Sequence, residues 1–132
     1  MSWRASGGIK RWAADDWFSK CIREAANNEC QHCHKPATDC AHIYGRASFS
    51  TRWCKPNALA LCRGCHDRFG QHPLLFTEWI ASQWPERAAL LAVKHSGRIK
   101  NNASTRKMIS DHYRTEYRAM LDRGDNQFKS WN

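Results

Sequence analysis

Two Cys-x-x-Cys pairs, Cys30-Gln31-His32-Cys33 and Cys62-Arg63-Gly64-Cys65, are the residues whose type and spacing speak most directly of chemistry. A two-residue spacer lets one tight turn present two sulfurs to one ion. Two such pairs supply the four soft ligands of a closed tetrahedral Zn2+ site. His32 and His34 stand beside the first pair as alternative ligands. Between the pairs lie His42 and Asn57, and His66 follows the last cysteine directly. A neutral imidazole is a good base near pH 7. Hydrolysis of a phosphodiester needs such a base for the attacking water. It also needs positive charge on the departing oxygen, which Mg2+ or another divalent cation such as Mn2+ supplies. His42 suits the base and His66 a ligand of that cation.

These side chains need elements to hold them. Trp17, Phe18, Cys21, Ile22, Ala25 and Ala26 recur at helical spacing and predict an amphipathic helix over roughly 14–28. Asp15 and Asp16 suit its positive end and Asn27-Asn28 its stop. Cys21 falls on the apolar stripe and reads as core. Lys35-Pro36-Ala37-Thr38 reads as a turn between two short strands, the second over about 39–44 and carrying His42. A loop with Arg46 and Arg52 follows, and after Asn57 the run Ala58-Leu59-Ala60-Leu61-Cys62 leads into a helix beginning near Gly64. The expected order is strand, strand, loop, helix. The remainder reads as helical. Pro73 opens one helix, with Leu75, Phe76, Trp79 and Ile80 as its stripe. Pro85 starts another, with Ala88, Leu91 and Ala92 on one face and Gly97 past its end. Ser104 or Thr105 caps a last helix to about Arg123, with Met108, Ile109, Tyr113, Tyr117, Met120 and Leu121 inward and Gly124 as its C-terminal cap. His95 and His112 read as surface or packing residues on these helices.

The bulk properties narrow the class. A chain of 132 residues suits one domain. Its divisions are a basic arm and helix (1–28), a zinc-bound core (29–71) and a helical extension (72–132). The 21 Lys and Arg against 12 Asp and Glu give a net charge of +9, which favours a polyanionic partner such as DNA. No stretch approaches the roughly 20 apolar residues of a membrane span. The N-terminal residues show no apolar signal-peptide core. A cytoplasmic, reducing setting follows, in which Cys-x-x-Cys pairs bind metal rather than form disulfides. The odd number of cysteines, seven, agrees.

The segment Asp39-Cys40-Ala41-His42-Ile43, then Asn57-Ala58-Leu59-Ala60-Leu61-Cys62, then Cys65-His66 resembles the HNH endonuclease motif. Asn57 follows His42 by fifteen residues and His66 follows Asn57 by nine. Over about residues 28–80 the chain is similar to phage-encoded HNH and recombination-type nucleases with a Cys-x-x-Cys zinc variant. The resemblance implies an α+β, mostly helical protein: a small zinc-stapled ββα-metal core with an N-terminal helix and a C-terminal helical extension. It implies a metal-dependent DNA endonuclease of phage or mobile-element origin, acting as monomer or homodimer. His42 is then the general base, Asn57 braces the loop by holding the His42 backbone, and His66 binds the catalytic cation. Arg46 or Arg52 contacts phosphate, since a guanidinium suits phosphate geometry. The chain departs from the family at Ala41, where many members place a second metal ligand. Asp39, Asp67 and His72 are the substitutes, although strand alternation puts 39 and 41 on the face opposite 42. The alternative reading is a zinc-stapled DNA-binding module without catalysis. A third is a zinc-dependent interaction protein.

Overall fold

A computed structural model describes residues 9–132. Most of the expected basic arm, and the stretch without a signal-peptide core, lie outside the described residues. Two groups of packed elements follow from the sequence. The first is built on helix α1 (Ala13–Ala25) and the long helix α5 (Ala103–Arg123). Phe18, Cys21 and Ile22 of α1 meet Ile109, Tyr113 and Met120 of α5, and Trp53 and Phe128 close the cluster. Burying side chains of this size stabilises by roughly 1.5–3 kcal/mol each. The Cys21 thiol donates to the Tyr113 carbonyl at 3.2 Å, and burial pushes its pKa up to about 12. It is the inert core residue expected.

The ends of these helices have local causes. Asp15 reaches back to the Trp12 N–H at 2.7 Å, satisfying a donor at the start of α1. Asn27 and Asn28, both at φ 56°, turn the chain out of the helix. Helix α5 starts one residue earlier than Ser104 because Asn102 is the cap, its side chain accepting from Thr105 N at 2.8 Å. Gly124 ends it at φ 71°, as its type predicts. Met108 and Leu121, expected inward, are about half exposed at 53% and 52%. Tyr113 and Met120 set the buried stripe, and these two lie off it.

The second group is the candidate core. Strand β1 (Asp39–His42) pairs antiparallel with β2 (Ala58–Leu61), with Asp39 opposite Leu61 and His42 opposite Ala58. Helix α2 (Arg63–Gln71) follows at once. This corrects the expected hairpin. The residues before Lys35 form a knuckle, joined across its mouth by a single bridge between Glu29 and Pro36, and no strand. The second strand of the ββα unit is instead Ala58–Leu61, and the 43–57 loop separates the two. Helices α3 (Pro73–Gln83) and α4 (Arg87–His95) lie between α2 and α5, and no described helix is long and apolar enough to cross a membrane. Phe69 of α2 stacks on Trp79 of α3 with ring centres 5.1 Å apart. It packs with Leu61, Ala41 and Cys30 under the cysteine cluster.

Candidate active site and metal centre

The 30–36 knuckle and the start of α2 bring the four cysteines together. The Cys33 and Cys65 amides point back at the Cys30 and Cys62 sulfurs, both at 3.4 Å. Each Cys-x-x-Cys turn therefore aims its thiols inward. All four Sγ atoms lie within 4.8 Å of one another, and Cys33 and Cys62 stand 3.6 Å apart. A tetrahedron with Zn–S bonds of about 2.3 Å has edges of about 3.8 Å, so the donor set fits a metal ion and is consistent with zinc. Burial alone raises the Cys30 thiol, but the backbone N–H groups of Cys33, Cys62 and His32 outweigh it and bring the pKa down to about 6. Burial and the neighbouring thiols push Cys65 up. His32 lies beside this cluster, its Nδ1 3.3 Å from Cys65 Sγ, and its ring packs against Phe69 and Trp79. It is a neighbour of the four sulfurs, and His34 is exposed and faces Glu29.

Strand β1 has two faces. Asp39 and Ala41 are buried, Ala41 against Cys30 and Leu61 on the side of the cysteines. Cys40 and His42 face the other way, into a cleft of about 380 Å3 that Arg11, Arg46 and His66 also line. His42 and His66 are therefore brought to one cavity, as their spacing predicts. The His42 Nε2 is buried and has no hydrogen-bond partner. Burial lowers its pKa to about 4, reinforced by the charges of Arg46 and Arg52 and opposed by Asp15. The Arg52 backbone close to the ring raises it slightly. The imidazole is thus neutral at pH 7, on a residue that lines the cleft.

His66 sits in the first turn of α2 and its Nδ1 lies 2.8 Å from Asp39 Oδ2. That oxygen also meets Arg63 Nε at 3.2 Å, and Oδ1 accepts from Thr38 Oγ1 at 2.9 Å. Three contacts thus fall on Asp39, two of them on Oδ2. Asp39, the candidate second ligand, braces His66 through its bond to Nδ1. A carboxylate on one ring nitrogen fixes the tautomer and leaves Nε2 as the available donor.

Asn57 is fully buried. Its Oδ1 accepts from Tyr44 N at 2.8 Å, and its Nδ2 donates to Tyr44 O at 3.0 Å and Thr51 O at 2.9 Å. The expected bracing role is seen, with a correction of partner. Asn57 holds Tyr44 and Thr51, on either side of the 45–50 stretch, and does not bond the His42 backbone. His95, read as a surface or packing residue, stacks on Tyr44 at 4.2 Å and bonds Ser48 Oγ at 2.7 Å, so α4 supports the same loop.

The two arginines part company. Arg46 lines the cleft and its Nη1 is buried without a partner. Arg52 is only 4% exposed and forks onto Asp15, Nε to Oδ1 at 2.9 Å and Nη2 to Oδ2 at 2.7 Å. The second of these nitrogens also donates to Lys10 O at 2.6 Å. The expectation that Arg52 contacts phosphate is corrected, because its guanidinium is consumed inside the protein. The residue missed by sequence reasoning is Asp15, which accepts from Arg52, Trp12 N and Trp53 Nε1 together. No family model, curated protein or solved structure matches the chain.

Proposed function

We propose that the protein is a metal-dependent DNA endonuclease of the HNH type, built around His42. One observation carries this reading: a neutral, buried imidazole with an unpartnered Nε2 shares a cleft with His66 and Arg46. A base held neutral at the working pH accepts a proton from water without first losing its own. His42 Nε2 takes the proton of the attacking water, and the nearby Asp15 carboxylate and Arg52 backbone favour the imidazolium that forms. Arg46 pairs with an oxygen of the scissile phosphate. Asp39 orients His66, whose Nε2 is the candidate ligand for Mg2+ or Mn2+. When bound there, such a cation would neutralise the leaving 3′-oxygen and so favour products with 5′-phosphates. The ion of the four cysteines is structural Zn2+, with all four ligands from protein and none left for substrate.

DNA as substrate is supported by cations held over the aromatic faces of Trp12 and of Trp17 on α1. Arg106 lies 3.8 Å from the Trp12 ring centre and Lys10 lies 4.4 Å from it. Lys20 lies 4.8 Å and Arg118 5.7 Å from the Trp17 ring centre. Side chains ordered in this way lose less freedom on meeting a phosphate backbone.

The second reading, a zinc-stapled DNA-binding module, draws on Ala41. It supplies no ligand, and the one carboxylate lining the cleft, Asp15, is engaged by Arg52. Cleavage of supercoiled plasmid with Mg2+ or Mn2+ separates the two. His42→Ala should lower the rate by about 100–10,000-fold with DNA binding retained. Wild-type cleavage by that variant refutes the mechanism, and a wild-type protein that binds but never cuts favours the module.

A further inference from the structure

A cavity at the C-terminal end of α1, away from the cleft, has a lining of its own kind. It encloses about 230 Å3, and its polar lining is Lys55, Arg87, Gln31, Asn126 and Gln127, with no carboxylate. Lys55 and Arg87 come from distant parts of the chain, and neither forms an ion pair among the described residues. Both are partly buried and feel it. Burial lowers the Lys55 pKa, and the charge of Arg87 lowers it further. Burial lowers that of Arg87, with Glu86 opposing.

The donors are held in place. Arg87 stands between this cavity and the neighbouring one that Trp84 lines; its guanidinium lies 4.4 Å from the Trp84 ring centre, and its Nη1 is buried without a hydrogen-bond partner. Lys55 Nζ spends one proton on Phe128 O at 2.7 Å and has two more. Gln31 gives its Oε1 to Ala60 N at 2.9 Å, so its amide nitrogen remains as a donor. Two cations and side-chain amides thus line a small space with no carboxylate in its wall; Glu116 acts on Lys55 and Glu86 on Arg87 from outside it. Leaving like charges half-buried together is costly, and an anion between them offsets that cost. A carboxylate balances one charge. A phosphate-type group brings up to two charges and three acceptor oxygens.

We propose that this cavity is a binding site for a phosphate-type oxyanion, held by Lys55 and Arg87 with the amides of Gln31 and Gln127. The site stands independently of the endonuclease reading. Two sources share this chemistry, free phosphate or pyrophosphate and a phosphate of nucleic acid. Lys55 lies two residues before Asn57, so the bound anion also steadies the turn that seats the asparagine.

The test follows the side-chain amide signals of Gln31 and Gln127 by 1H–15N NMR in zinc-loaded protein. Sodium phosphate and pyrophosphate are titrated against sodium chloride at matched ionic strength. Saturable shifts at both glutamines are expected, weakened at least tenfold in Arg87→Gln and less in Arg87→Lys. A parallel titration with a short DNA duplex assigns the source. The same shifts with DNA point to backbone phosphate, and shifts with the small anions alone point to a free ligand. Absence of saturable shifts with phosphate, pyrophosphate and DNA alike overturns the proposal. So do equal affinity in Arg87→Gln, or shifts confined to the His42 and Arg46 region. Should Arg87→Gln misfold, Lys55→Gln takes its place with the same tenfold criterion.

Discussion

Replacing Arg52 with methionine should destabilise the protein rather than merely weaken its hold on DNA. The reason lies with Asp15, which stays only 4% exposed and loses the two charged donors at 2.9 and 2.7 Å. Removing one partner of a buried ion pair costs about 3–5 kcal/mol, because the other charge remains buried. Here the Trp12 N–H at 2.7 Å and the Trp53 Nε1–H at 3.0 Å survive. Hydrogen bonds to a charged group are worth about 1.5–3 kcal/mol each, so the loss falls at the lower end, about 3 kcal/mol. That is a large share of the roughly 5–15 kcal/mol by which such domains are stable, and it lowers the melting temperature by about 10 °C. Urea unfolding of zinc-loaded protein, read by tryptophan fluorescence, measures it. The double variant Asp15→Leu/Arg52→Met removes the stranded carboxylate and should recover at least about 1 kcal/mol relative to Arg52→Met. An Arg52→Met protein with the wild-type midpoint but weakened DNA binding would refute this reasoning and return Arg52 to phosphate recognition.

Three further outcomes follow from the site. Stripping the four-cysteine ion with a strong chelator should unfold the 29–71 region and release one zinc per chain to a metallochromic dye; site binding energies of about 10–16 kcal/mol exceed the stability of most domains. Unchanged circular dichroism after full release would contradict it. Asp39→Asn should weaken Mn2+ binding at His66 by about 10–100-fold, read by electron paramagnetic resonance, with zinc content unchanged. His42, whose pKa falls from an ordinary 6.5 to about 4 on folding, contributes stability that is fully present above pH 6.5. That contribution is lost as pH falls toward 4, by at most about 1.4 kcal/mol per pH unit. His42→Gln should flatten that part of the stability profile, and parallel slopes for the two proteins between pH 6.5 and 4.5 would count against a buried neutral ring.

The cysteine pairs, His42, Asn57 and His66 were legible because each signal is local: a residue type at a fixed separation within one short segment. Strand β2 was not. Ala58, Leu59, Ala60 and Leu61 are buried on both faces, so the run lacks the alternation that marks a half-buried strand. Asp15 was read correctly as an acid at a helix start, yet its main partner lies 37 residues away. Nothing in the sequence around either residue announces that pairing. It also decides which of two similar loop arginines stays available to substrate. Asp39 was found for its chemistry, while its bond to His66 across 27 residues was not legible in the sequence. Met108 and Leu121 were misplaced for a simpler reason. Apolar type alone does not fix an angular position on a 21-residue helix.

Cys65 and His66 are consecutive residues on one turn of α2, anchored by the His66 N–H on Cys62 O at 2.9 Å. Successive helical residues are separated by about 100° and 1.5 Å. The angular phase between the cysteine cluster and the cleft is therefore written into a single peptide unit. Length changes after residue 66 leave that phase untouched, whatever happens to the rest of α2. One residue inserted between Cys65 and His66 turns the imidazole through about 100°, away from Asp39 and out of the cleft, while the four sulfurs keep their spacing. Insertion or deletion is therefore forbidden in the five residues that end on His66, while downstream the constraint passes to the packing of Phe69.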